Sequence, residues 1–294
     1  MIRSWLFAPA TNDKKLAKLG TVGAHAVVLD LVEGVAADAK ADARQKAQDW
    51  LKSHSEQVIS QRRYQRWVRI NPLDTPHWRD DLVAVMQGGP QGIILPKASS
   101  PQDVQMIAAE IYELEQRNRL EHGSTAIMPQ VGDTPAAALR IASFAEDLHP
   151  RVSGLIWNAP ALARALDATR LRDENGQWTL AMQQVRAMTL LTARAKGLMA
   201  VDTVPAGNSE TDGLEWSTGA ARADGFSGMQ AVNPKQVRVI NRSFAATREE
   251  LGDAREIVAL FASNPSAETV TLRDRTVEKR QLQQARILLQ WEGE

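Results

Sequence analysis

Several short apolar runs in this chain end on a polar residue able to do chemistry: Asp30 and Glu33, Arg69 and Asn71, Lys97, Asp133, Asn158, Asp202 and Asn233. Brought to one place, such acids, bases and amides suit a small anionic ligand, with a divalent cation as a second guest. Arg69 is the sharpest of them. Inside Trp67-Val68-Arg69-Ile70-Asn71 an arginine must find a buried anion or break the strand, and a bound carboxylate is the natural anion. Each residue also has a plainer role. Asp30 could pair with Arg69 across neighbouring strands, Asp133 could cap the helix that Thr134-Pro135 opens, and Lys97 could be a solvated strand end.

The elements that must position these residues alternate. Apolar runs at Trp5–Phe7, Ala26–Leu31, Trp67–Ile70, Gly92–Leu95, Ala126–Gln130, Gly154–Trp157, Met199–Val204 and Gly228–Val232 read as strands. Helical periodicity marks Ala36–Leu51, Pro101–Arg119, Thr134–Ala145, Leu180–Ala195 and Gly213–Ala223 between them. Eight strands with intervening helices predict a closed (β/α)₈ barrel, a TIM barrel, over residues 1–246. A C-terminal helical appendage is expected over 247–294: a helix at Thr247–Ala262, a small hairpin at Thr269–Leu272 and Thr276–Val277, and a helix at Gln281–Trp291. It either packs on the outside of the barrel or serves as a lid or intersubunit arm. Barrels of this kind bind ligands at the carboxyl ends of their strands, so Arg69, Asp133 and Asp202 are expected together at that mouth.

Composition narrows the function classes. The 35 basic residues balance the 35 acidic ones, so no global field draws in nucleic acid or an anionic membrane. The chain has no cysteine, which leaves only oxygen or imidazole to hold a metal. No run approaches the ~20 apolar residues of a membrane span, and the expectation is a cytoplasmic protein. The histidines lack metal-ligand spacing, and Gly88-Gly89 precedes a strand where a dinucleotide fold would need it to follow one.

Longer motifs add a resemblance. Arg3-Ser4-Trp5-Leu6-Phe7-Ala8-Pro9, Gly23 through Leu31, Lys40, Arg44, Val68-Arg69-Ile70-Asn71, Leu95-Pro96-Lys97, and Asp224-Gly225-Phe226-Ser227-Gly228 leading to Asn233-Pro234-Lys235-Gln236-Val237 with Ile240-Asn241 resemble the citrate lyase β-subunits and malyl-CoA and citramalyl-CoA lyases of the HpcH/HpaI aldolase/citrate lyase family. The resemblance implies cleavage of a carbon–carbon bond in a β-hydroxyacyl thioester or small dicarboxylate, with an acyl-CoA-type ligand and a trimer-based homo-oligomer. It also implies Mg²⁺ on a Glu after strand five and an Asp after strand six. Here the first position is Asp133. The family's Gly-Ala-Glu-Asp-Leu aligns with Asn158-Ala159-Pro160-Ala161-Leu162, so both strand-six acids are replaced. Its Asp-Leu-Glu-Asp reads Asp30-Leu31-Val32-Glu33, and its strand-eight Gly-Lys and His-Pro read Gly228-Met229 and Asn233-Pro234. Pro205 takes the place of an aromatic, and Val277-Glu278 that of Val-Asp.

On this reading Arg69, Glu33 and Asp202 are the catalytic candidates, and Arg69, Asn71, Lys97 and Lys40 would bind substrate. Asp133 would hold Mg²⁺ weakly or not at all. The first expectation is a lyase of the family type with a degenerate metal site. The alternatives are a non-catalytic or repurposed paralogue that binds a carboxylate or acyl thioester, and a metal-free enzyme using Arg69 and Lys97 on a different acid.

Overall fold

The computed structural model describes residues 2–55, 64–203 and 211–292. Eight parallel strands close a barrel in sequence order: β1 (Ser4–Pro9), β2 (Ala26–Asp30), β3 (Gln65–Arg69), β4 (Gly92–Ala98), β5 (Ala126–Val131), β6 (Gly154–Trp157), β7 (Met199–Asp202) and β8 (Gly228–Ala231), with β8 paired back onto β1. The helices between them are α1 (Asp13–Leu19), α2 (Lys40–Ser53), α3 (Trp78–Met86), α4 (Pro101–Asn118), α5 (Pro135–Ala138), α6 (Ala159–Ala165), α7 (Leu180–Ala195), α8 (Thr211–Asp224) and α9 (Pro234–Ser243). The (β/α)₈ expectation is met. Two of the expected helices are broken, with 3₁₀ turns over Ala37–Ala39 before α2 and Ile141–Ala145 after α5. The end of the expected seventh strand at Val204 lies outside the described residues.

Side chains alternate across each strand, and that parity decides what the barrel encloses. Trp5, Phe7, Ala26, Val28, Trp67, Ile94, Met128, Ile156 and Val201 form one buried cluster. Trp5 and Trp67 meet edge to face, with ring centroids 5.0 Å apart. Gly92 makes room for them, since a Cβ there would lie 2.2 Å from the Trp67 ring. Two residues further along the same parity come Asp30, Arg69 and Gln130, all buried. An apolar floor thus gives way to a polar layer at the carboxyl end.

Residues 244–292 form a second compact unit. Here α10 (Arg248–Ser263) and α11 (Lys279–Glu292) flank a hairpin of β9 (Thr269–Leu272) and β10 (Arg275–Glu278). Arg273 and Asp274 both take positive φ at its tip, the backbone that a two-residue turn needs to match strand twist. Ala254, Ile257, Phe261, Leu272, Val277, Leu282 and Ala285 make its core.

Candidate active site

Asp133 lies just beyond β5, where Gly132 turns the chain at φ +74°. A Cβ at Gly132 would come within 2.5 Å of Val185 on α7, so close packing and backbone both favour glycine. Thr134, not Asp133, caps α5 by accepting from the Ala137 N–H. The capping alternative for Asp133 therefore falls, and its carboxylate is left to other partners. Its Oδ2 accepts from the Lys97 N–H at 2.8 Å and from Gln130 Nε2 at 2.7 Å. Its Oδ1 is buried with no partner. Burial pushes this carboxyl up to about 6, against the opposing pull of the Lys97 N–H, the Gln130 amide and the Arg69 charge.

Lys97 delivers its N–H from an unusual backbone. The register between β4 and β5 shifts between Leu95 and Ala98, and Lys97 adopts φ +53°, a conformation costly for a side chain with a Cβ. Its ammonium points away to Asp74 at 3.0 Å, in an ion pair largely open to solvent.

Arg69 already has an anion. Its Nε and Nη2 grip the two oxygens of Asp30 at 3.0 and 2.5 Å, and Nη1 donates to Gln130 Oε1 at 3.2 Å. Burial works against its charge. The pull and hydrogen bonds of Asp30, with Glu33 and Asp133 adding to them, nevertheless raise its pKa above the usual arginine value. Of the two sequence expectations, the cross-strand pair is thus present, and only the outer edge of the guanidinium faces the cavity.

Glu33 sits on that edge. Its Oε2 lies 3.5 Å from Arg69 Nη2, while Oε1 accepts from Arg164 Nη2 at 3.0 Å and Asn158 Nδ2 at 3.5 Å. Burial tends to raise its pKa, but the two guanidinium groups outweigh that and lower it.

These groups line a cavity of about 330 Å³ whose walls include Glu33, Arg69, Lys97, Asp133, Ala161 and Arg164. Strand-end inspection of the sequence misses Arg164 because it is not a strand-end residue. Asn158 caps α6 by accepting from the Ala161 N–H, and steps of three residues carry that face through Ala161 to Arg164. The helical spacing from Asn158 was the available signal.

Three expected site residues lie elsewhere. Asp202 ends β7, but its parity is opposite to that of the inward Val201, and it turns into the helix layer. There Trp157 Nε1 and the Thr203 N–H donate to Oδ1, and Arg186 Nε donates to Oδ2 at 2.8 Å. Burial pushes its carboxyl up, with Arg186, Trp157 and Thr203 opposing. Asn71 donates to Asp81 Oδ2 and to the Leu31 carbonyl. Lys40 donates to the Leu31 and Val32 carbonyls. Both steady the loop that carries Glu33 without lining the cavity.

A larger open groove of about 1000 Å³ runs outside α4, between Tyr112, Arg117, His149 and Arg151. It lies on the outer helix layer, and the buried Glu115 behind Arg151 is saturated by Arg151 and the Gly123 and Thr125 N–H groups. The strand-end cavity is the better candidate because it alone combines convergent strand ends with an unpartnered buried acid among the described residues.

The model of the HpcH/HpaI aldolase/citrate lyase family matches residues 3–234. The chain belongs to that family. It is 32 % identical over 259 residues to a (3S)-malyl-CoA thioesterase of Cereibacter sphaeroides, covering 88 % of this chain and 82 % of that one. The citrate lyase subunit beta of Escherichia coli K12 is 29 % identical over 289 residues, covering 98 % and 92 %. Among solved structures, CitE of Mycobacterium tuberculosis in complex with magnesium, acetoacetate and coenzyme A matches with a TM-score of 0.70 at 28 % identity, covering 99 % and 98 %.

The carboxylates that line the cavity are those of Asp133 and Glu33. Asp133 Oδ1 is an orphaned acceptor, and Ala161, which also lines the cavity, brings no side-chain oxygen. Glu33 is held by two guanidinium groups. Among the described residues no three His, Asp or Glu side chains could together hold a metal ion. No helix among them is long and apolar enough to cross a membrane.

Proposed function

We propose that the chain is a carbon–carbon lyase acting on a small 3-hydroxy acid or its acyl thioester, with Asp133 as its proton-transfer group. The observation that carries this is the buried, unpartnered Asp133 Oδ1 beside a cavity rimmed by Arg69, Lys97 and Arg164. A carboxylate with pKa near 6 is mostly ionised at neutral pH, yet basic enough to accept a proton.

Oδ1 takes the proton of the substrate hydroxyl. The carbon–carbon bond beside it breaks, the hydroxyl carbon becomes a carbonyl, and the bonding pair moves onto the acyl fragment as an enolate. Asp133 returns the proton to the enolate carbon, which balances the reaction. Arg164 and the outer edge of Arg69 hold the negative charge of the acid fragment. The relatives' names and ligands, a malyl-CoA thioesterase and a complex with acetoacetate and coenzyme A, support this substrate class. Glu33 and Arg69 touch the cavity, and Asp202 serves as a scaffold pair. Mg²⁺ is bound weakly or not at all, because a hard dication facing one unpaired carboxylate, with the other already held by two guanidinium groups, gains little.

The replacement of an acid by Ala161 favours a second reading, a paralogue that binds the same acids without cleaving them. Purified protein incubated with (3S)-malyl-CoA and other 3-hydroxyacyl thioesters distinguishes the two. Release of a carbonyl acid, read with a hydrazine trap, is expected. Release of free thiol alone indicates hydrolysis, and no product from any thioester refutes the lyase reading in favour of the binding paralogue.

A further inference from the structure

The Glu33 carboxylate occupies a position unlike that of any other acid in the barrel mouth. Three donors surround it: Arg69 Nη2 at 3.5 Å from β3, and from α6 and its cap Arg164 Nη2 at 3.0 Å and Asn158 Nδ2 at 3.5 Å. Two cations and an amide arranged around one carboxylate make an acid-binding subsite. Two of the three contacts are long, at 3.5 Å, and the side chains of Glu33 and Arg164 are 47 % and 63 % exposed. Asp30 holds its own side of Arg69 at 2.5 Å while almost fully buried, so the two acids on Arg69 differ sharply in how firmly they are held. Asp30 is fixed structure. Glu33 can leave.

We propose that Glu33 is a built-in occupant of the cavity's own carboxylate subsite, and that a ligand carboxylate binds between Arg69 and Arg164 by displacing it. This rests on the reading of the mouth as an acid-binding site and adds to it where the acid goes. Once Glu33 swings toward solvent, the outer edge of Arg69, Arg164 Nη2 and Asn158 Nδ2 all face the cavity. An incoming carboxylate restores the lost charge balance. Asp133 follows β5, the neighbour of β6, and is joined to Arg69 through the Gln130 amide, so a second anionic group beside it would meet repulsion, and a hydroxyl would meet its free acceptor. The favoured ligand is therefore a hydroxy acid with one carboxylate in the subsite and its hydroxyl toward Asp133. A tethered carboxylate competes at high effective concentration, so Glu33 lowers affinity for such ligands even though it is an ordinary member of the site.

The test is calorimetric titration with 3-hydroxybutyrate, and with 3-hydroxybutanamide as its uncharged control, in a chelator-containing buffer. Removing the internal competitor in Glu33→Gln should lower Kd by about three- to tenfold, while Arg164→Gln should raise it by a similar factor. The amide should show neither effect. Unchanged or weaker binding by Glu33→Gln overturns the proposal, as does the absence of measurable acid binding to both proteins. The lyase assay separates the two failures. Cleavage by the unmodified protein with no tightening in Glu33→Gln leaves the lyase reading and removes this one, whereas tightening without cleavage does the reverse.

Discussion

Asp133 and Asp202 are both aspartates at strand carboxyl ends, and both are buried, at 3 % and 2 % exposure. One residue of parity separates their fates. Asp202 turns to the helix layer, where three donors occupy its oxygens and Arg186 joins β7 to α7. Asp133 follows a glycine turn into the mouth and keeps one oxygen without a partner. Burial raises both carboxyls, but only one of them faces a space where a proton could be exchanged. An acid at a strand end is thus a chemical candidate only after its direction is known.

The largest effect expected from this contrast is on turnover. Asp133→Asn keeps an oxygen to accept from Lys97 and Gln130 but cannot take a proton, so kcat on a cleavable thioester should fall by about 10²- to 10⁴-fold. Steady-state kinetics decide it. Retained turnover would move the proton transfer to another group.

The same contrast bears on stability, with opposite signs. Asp202→Ala leaves Arg186, Trp157 Nε1 and the Thr203 N–H without their acceptor, which should cost ~3 kcal/mol, or roughly 6–12 °C in Tm. Asp133→Asn should stabilise instead. Its folded pKa of about 6 lies above the ordinary 3.8, so the native state binds the proton more tightly than the unfolded chain does. The favourable contribution is present below the ordinary value and is lost as pH rises through about 6. The asparagine variant should therefore gain on the parent by about 2 kcal/mol at pH 7.5, with little difference near pH 4. Thermal melts across that range check the sign, and a gain that is constant with pH would contradict it.

The smallest expected effect concerns Ala161, in the helix that follows β6, the neighbour of β5. Ala161→Asp adds to the cavity a carboxylate not already held by Arg69 and Arg164, and should strengthen Mg²⁺ binding on the order of tenfold, read by calorimetry without substrate. Tight stoichiometric binding by the unmodified protein would show that Asp133 alone suffices.

Much of this was legible in the sequence, because the barrel is written in the alternation of apolar runs with helical periods. Gly154–Trp157, Leu180–Ala195 and Thr269–Leu272 fall at the same residues in both descriptions. The cross-strand pair of Asp30 and Arg69 was open as an alternative because both residues end neighbouring strands. Side-chain direction was harder to read. Asp202 lies inside the expected run Met199–Val204, where all but one residue is apolar or could face either way, and nothing local says whether Val201 or Asp202 turns inward. Arg164 belongs to a helix face, and its approach to Glu33 spans 131 positions of sequence, a contact that only the closed barrel brings about. The partition of Asp133 between capping and chemistry depended on which of two adjacent residues turned first. Thr134 did.

The grip of the main chain on Asp133 has a consequence for how this mouth can change over generations. The donor at position 97 is the peptide N–H, which every amino acid except proline supplies. Substitution there can alter the charge at the rim, or remove the tie to Asp74, without loosening the acid. What selection must preserve is the left-handed backbone, which glycine and asparagine tolerate better than lysine does. The rim is therefore free to drift toward new ligands while the aim of the carboxylate is inherited with the fold.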